Sequence, residues 1–295
     1  MAAVELETQM EARPGLAARI GQEIGSWSAT LKIGLVLMAI IVLLAVFAPL
    51  VAPFDPDMQD FDAILEPPGL VHLFGTDNLG RDIFSRVLFG SRLDLLAGLI
   101  MTYVPFAYGV MIGAYSGYRG GWVDAVVNTV INVAIAFPFL VLIIVVVAVL
   151  GPGIHNIYIS VFLLAWTMYA RLARAEMMVE RAKDYVLAAR VLGFPTRRIL
   201  LRHALPNIIG SSIVFSMSDF VLNILLLSGL SFIGLGIQPP IPEWGAMIAE
   251  GKEFILQAWW ICTMPGLAVV LTGTALSLIG DGLARRLGDR HTGLT

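Results

Sequence analysis

The sequence is poor in charge, cysteine, histidine and lysine, and each shortage excludes a class of protein. Only 14% of its 295 residues are charged against 58% hydrophobic, whereas a soluble domain needs roughly a quarter charged residues to cover its surface. Much of this surface must meet lipid, which excludes a soluble enzyme and a disordered chain. The net charge of -3 leaves no basic excess for a phosphate backbone, so no nucleic acid is expected as a partner. The single cysteine, Cys262, can form no intramolecular disulfide, and the four histidines (His72, His155, His203 and His291) show no metal-ligand spacing. The only lysines, Lys32, Lys183 and Lys252, are followed by Ile33, Asp184 and Glu253. None completes the Gly-Lys-Ser/Thr of a phosphate-binding loop, so no nucleotide cofactor and no ATPase activity are expected in this chain. Neither His-Glu-x-x-His nor Gly-x-Ser-x-Gly occurs, which argues against an intramembrane hydrolase.

What the chain has instead is long apolar runs. A bilayer core about 30 Å thick takes about 20 apolar residues per helix, and six runs meet this need: 31–52, 93–115, 122–150, 157–169, 208–234 and 260–283. They predict an all-α, polytopic membrane protein of six spans. The fourth run is short and is expected to end on snorkelling Arg171 and Arg174. Pro105, Pro138 and Pro265 fall inside three runs, a placement tolerated where neighbouring helices satisfy the freed carbonyls. With the N-terminus inside, fifteen of the nineteen lysines and arginines face the cytoplasm, leaving Arg81, Arg86, Arg92 and Lys252 outside. The positive-inside rule favours that orientation, with both termini cytoplasmic. Residues 1–30 then read as a cytoplasmic tail without signal-peptide features and 285–295 as a second tail.

Residues 31–92 hold the first span and an extracytoplasmic segment, acidic at Asp55, Asp57, Asp60, Asp62 and Glu66 and broken at Pro67-Pro68-Gly69. From Thr76 and Asp77, possible helix caps, Ile83, Phe84, Val87 and Leu88 share one helical face with arginines opposite. This pattern predicts a helix lying flat on the outer leaflet, or a connector packed on the bundle. Asp94, Asp124 and Asp281 lie near run ends and are expected at the interface.

The cytoplasmic segment between the fourth and fifth runs holds eight of the nineteen basic residues. Residues 175–192 are strong helix formers without proline or glycine, and Gly193 and Pro195 break them. Thr196 can cap a second short helix, 197–204, which Pro206 is expected to end. Two short helices meeting at a glycine make a protrusion able to enter a groove on another protein, or a surface loop that only carries charge.

Leu187-Ala188-Ala189, then Gly193, then His203-Ala204-Leu205-Pro206 resemble the EAA loop of bacterial ABC importer permeases, whose signature is Glu-Ala-Ala, three residues, Gly, nine residues, Ile, one residue, Leu-Pro. The segments 74–86, 202–207, 230–240 and 243–247 resemble more narrowly the dipeptide/oligopeptide/nickel branch, and the outer segment resembles its C-type partner. The resemblance implies a type I importer permease fold over residues 93–284 with the EAA loop at 175–207, in the bacterial inner membrane. It implies a second homologous permease, two ATP-binding subunits carrying ATP and Mg, an extracytoplasmic binding protein, and the lipid bilayer as partners. Leu187, Ala188, Ala189, Gly193, His203, Leu205 and Pro206 are thereby assigned to ATPase coupling. Leu187 replaces the signature glutamate, so an ionic contact at that position does not carry over. The implied cargo is a di- or oligopeptide, with nickel, glutathione or an oligosaccharide as alternatives in the same machinery. A proton-coupled secondary transporter is the rival of another class, although the halves show no self-similarity.

Two polar stripes could line a path. Ser212, Ser216, Asp219 and Asn223 share one face of the fifth run, and an intramembrane carboxylate such as Asp219 is a default functional candidate. Asp124, Asn128 and Asn132 recur every four residues in the third, where gluing helices together is an equal reading.

Overall fold

The structure, a computed structural model, describes residues 27–292, with side chains described through 287. Most of the expected N-terminal tail lies outside the described residues. The described chain is helical, with one isolated antiparallel bridge between Thr76 and Asp82. In order come α1 (Ala29–Val46), α2 (Ala48–Val51), α3 (Ile83–Arg119), α4 (Gly121–Ile135), α5 (Phe139–Leu150), α6 (Ile154–Leu164) and α7 (Trp166–Glu180). Then follow α8 (Asp184–Val191), α9 (Thr196–Arg198), a π-helical turn (Ile199–Ala204), α10 (Leu205–Phe232), α11 (Trp244–Gly251) and α12 (Trp260–Thr292).

Among the described residues five helical stretches are long and apolar enough to cross a membrane, and the bent pair α4–α5, taken as one span, makes a sixth. The pair bends by 82°, so Pro138 breaks the third span that a single run had promised. Pro105 and Pro265 stay inside unbroken helices. The difference lies in the surroundings. Both tolerated prolines are buried, whereas Pro138 is exposed between exposed Phe137 and Phe139, with little around it to satisfy the carbonyl it frees.

The second span begins ten residues earlier than hydropathy suggested. Asp82 caps α3 by accepting from Ser85 N at 2.7 Å, and the helix then runs unbroken to Arg119. Ile83, Phe84, Val87 and Leu88, expected on a separate helix, belong to this span. Arg81 and Arg86, expected on an exposed face, are 3% and 2% exposed. Arg81 pairs with Asp77 at 2.6 Å and Glu250 at 2.8 Å, and Arg86 reaches the Pro56 carbonyl at 3.2 Å. A buried guanidinium is tolerated only with such partners, and Glu250 lies far along the chain. His72 closes the cluster on Asp82 at 2.9 Å. The segment between the first two spans is thus strapped onto α3 and α11.

Asp94 is fully buried inside α3, with Trp244 N donating to its Oδ2 at 3.1 Å. Glu243 caps α11 by accepting from Gly245 N and Ala246 N. The tightest helix pair is α3 on α7. Gly109, Gly113 and Gly117, each four residues apart, let the backbones approach so closely that a Cβ at Gly113 would lie 2.1 Å from the Ala170 carbonyl oxygen. Such small-residue stripes drive helix association where lipid offers no hydrophobic gain. By contrast α1 exposes Ile33, Val36, Ile40, Leu43 and Val46, as a peripheral span facing lipid does.

Candidate functional site

The fourth span ends at Glu180 and the turn 181–183 leads into α8. The single helix expected over 175–192 is therefore two helices. One face of α8 carries Val186 and Ala189, both buried in a cluster with Met177, Ile199 and Leu200. The other carries Leu187, Ala188, Val191 and Leu192, spaced as i, i+1, i+4 and i+5 and all exposed, Val191 by 87%. The expected coupling residues divide accordingly. Leu187, Ala188 and Gly193 stand at the tip, Ala189 packs inward, and His203, Leu205 and Pro206 lie at the base near the fifth span.

Gly193 has φ +76° and nothing within 4 Å of where a Cβ would be. The left-handed conformation needs glycine there, and the space beside it is open. Pro206 does not end a helix. It sits in the first turn of α10, where its missing N–H costs little, and the wider π turn before it accommodates the ring. The helical stretch Thr196–Phe232 is consequently one span with its N-terminal extension.

Several basic residues of this region are tethers, while Arg171, Arg197 and Arg202 are exposed. Arg174 forks onto Asp124 with distances of 2.6 and 2.7 Å. Arg181 donates to the Gly117 carbonyl at the end of α3, a usual site for a cation at a helix C-terminus. Arg190 covers the Tyr118 ring at 5.2 Å and Arg198 the Phe194 ring at 4.2 Å. His203 stacks on the same Phe194 ring, 5.9 Å between centroids. Spacing alone located this loop, but none of these pairs was visible in it.

Within the membrane, Asp219 and Asn223 border a cavity of about 670 Å³ whose other walls are apolar, among them Phe139, Met168, Phe215 and Leu222. Tyr169 Oη donates to Asp219 Oδ2 at 2.7 Å, and Asn223 Nδ2 donates to the same oxygen at 3.1 Å and to Thr102 Oγ1 at 3.0 Å. Among the described residues Asp219 Oδ1 has no hydrogen bond. Ser212 and Ser216, on the same face of α10, are buried between helices, and Ser216 bonds the Ile213 carbonyl. They line no part of this cavity. Asn128 is half-buried and Asn132 exposed, and neither borders the cavity, while Asp124 is occupied by Arg174 and Ser116. Tyr169 and Thr102 are the partners that the sequence stripe could not reveal, since they come from other helices.

Residues 109–292 match the family described as binding-protein-dependent transport system inner membrane component, and residues 31–68 match the N-terminal TM domain of oligopeptide transport permease C. The chain is 40% identical over 263 residues, 87% of each chain, to the di/tripeptide transport system permease protein DppC of Pseudomonas aeruginosa. It is 38% identical over 258 residues, 88% of this chain and 87% of the relative, to the probable D,D-dipeptide transport system permease protein DdpC of Escherichia coli. It is 39% identical over 255 residues, 86% of this chain and 84% of the relative, to the glutathione transport system permease protein GsiD of Escherichia coli.

Proposed function

Because the chain belongs to the family of binding-protein-dependent transport system inner membrane components, we propose that it is one of two permease halves that carry di- or oligopeptides across the inner membrane. The observation that carries this reading is likeness over nearly the whole chain to permeases named for dipeptides and for glutathione, itself a tripeptide. Energy comes from ATP on separate subunits, which leaves the proton-coupled carrier without support. A second homologous permease, ATP-binding subunits and an extracytoplasmic binding protein complete the machine, with α8 on the cytoplasmic side. The apolar tip formed by Leu187, Val191 and Leu192 enters a groove of an ATP-binding subunit. With leucine in place of the signature glutamate, that groove is met by apolar contact instead of an ion pair.

The α10 face beside the cavity exposes Leu222, Leu225 and Ile233, as a surface awaiting the second permease would. The path then runs between the halves, with Asp219 as a polar point on an apolar wall. Closure of the ATP-binding subunits moves α8, and α8 moves the spans between inward and outward access.

The test is uptake by the complete complex, purified in mild detergent and reconstituted with its binding protein. ATP-dependent accumulation of a labelled di- or tripeptide is expected; an active homomer without an ATPase would refute the reading. In the same assay Asp219→Asn retains an acceptor for Tyr169 but loses the charge. It should change the transport rate at unchanged binding-protein affinity, and unaltered kinetics would remove Asp219 from the path.

A further inference from the structure

The coupling helix α8 is joined to the bundle by two short backbone links, the turn 181–183 before it and residues 192–195 after it. Links of three and four residues allow a helix to swivel unless side chains fix it. Buried Val186 and Ala189 press α8 onto the bundle, but apolar packing is non-directional and tolerates sliding. One polar side chain of α8 reaches both neighbouring spans. Tyr185 Oη donates to Glu180 Oε1, the last residue of α7, and lies 3.3 Å from the His203 carbonyl in the π turn leading into α10. Asn207, in the first turn of α10, donates from Nδ2 to Tyr185 Oη at 2.7 Å, to the His203 carbonyl at 3.0 Å and to Glu180 Oε1 at 3.2 Å. Two amide protons shared among three acceptors form a compact knot. Lys183 holds the other oxygen, Glu180 Oε2, at 2.7 Å.

We infer that Tyr185 is a positioning residue for energy coupling, its hydroxyl fixing the angle of α8 against the fourth and fifth spans at once. Glu180 and Asn207 are its anchors on the two sides. The Tyr185 hydroxyl is pushed up to about 12, by burial first and then by its bond to the Glu180 carboxylate. It keeps its proton at physiological pH and stays a donor. The three groups bring together the end of one span, the coupling helix and the start of the next, so a displacement of α8 is delivered to both spans as a rigid movement. Without the hydroxyl, α8 retains its apolar seat and the contact of Arg190 with Tyr118 but loses its hydrogen-bonded link to both spans, and part of the motion of the ATP-binding subunit is lost in its turning.

This inference rests on the importer reading, and the experiment separates the two. In the reconstituted complex, ATP hydrolysis and peptide uptake are measured together, with and without loaded binding protein. Tyr185→Phe removes only an oxygen from a ring that is 39% exposed, so assembly and basal hydrolysis should persist. Transport per ATP is expected to fall by about three- to tenfold, the size of one lost hydrogen bond in a network. Glu180→Gln, which still offers an acceptor to Tyr185, should retain most of the coupling. Asn207→Ala should lower it, and the double variant with Tyr185→Phe should be no worse than the stronger single one. A merely structural role would instead lower the yield of complex while leaving the ratio of transport to hydrolysis as it was. An unchanged ratio in Tyr185→Phe, or fully additive losses in the double variant, would overturn the joint while leaving the importer intact. A wild-type complex that neither holds an ATPase nor answers the loaded binding protein would overturn the importer reading and the joint with it.

Discussion

At Gly80 the backbone has φ +72°, and a Cβ would come within 1.7 Å of the Asp60 carbonyl oxygen. At Gly193 the angle is nearly the same, yet a Cβ would meet nothing. The two glycines share a conformation but differ in what surrounds them, and their substitutions should differ in kind. Gly80→Ala adds a backbone clash to conformational strain and should destabilise the strap on α3. Gly193→Ala costs only the strain, about 1–2 kcal/mol, and Gly193→Trp adds bulk pointing into open space. The expected outcome for Gly193→Trp is normal membrane insertion and complex yield close to wild type, with hydrolysis no longer stimulated by loaded binding protein. Retained stimulation would place the docking contact elsewhere on α8.

Among elements, the seam between α3 and α7 carries the closest approach, and at its C-terminal end Arg174 of α7 grips Asp124 of α4. The pair ties the first half of the broken third span, ahead of its 82° bend, to the fourth, beside the bond from Ser116 of α3 to the same Asp124. Both side chains are about one-fifth exposed, so solvent screening limits the pair to about 1 kcal/mol. Arg174→Ala should lower the thermal midpoint by a few degrees at most. Reversing the pair, with Arg174→Asp and Asp124→Arg together, should recover part of that loss, and a midpoint no higher than that of Arg174→Asp alone would show that geometry, not charge, holds the junction. Much of this element-level organisation is hidden in sequence. Asp124 reads equally well as one step of the Asp124, Asn128, Asn132 stripe, and only the approach of α7 identifies its partner.

For the whole molecule, the scarcity of cysteine becomes useful. With Cys262 replaced by alanine, a lone Leu222→Cys sits on the exposed side of α10 beside the cavity, where Leu222 is 60% exposed. It should cross-link to a cysteine on the second permease within the assembled complex, and labelling by lipid-soluble reagents alone would show that this face meets lipid. Long apolar runs, the placement of positive charge and the spacing from Leu187 to Pro206 could all be read from the chain, because hydropathy and motif spacing are local and additive properties. The number of spans and the place of the helical loop between the fourth and fifth followed from them. What only the tertiary structure decided depends on distant groups. Pro138 breaks its span while Pro105 and Pro265 do not, because neighbours cover the latter two. Arg81 and Arg86 are buried because Asp77 and Glu250 neutralise them, and Tyr185 becomes a joint because Glu180 and Asn207 are brought to the same point. A buried polar group must find its partner in space, and that partner's position along the chain leaves no local mark.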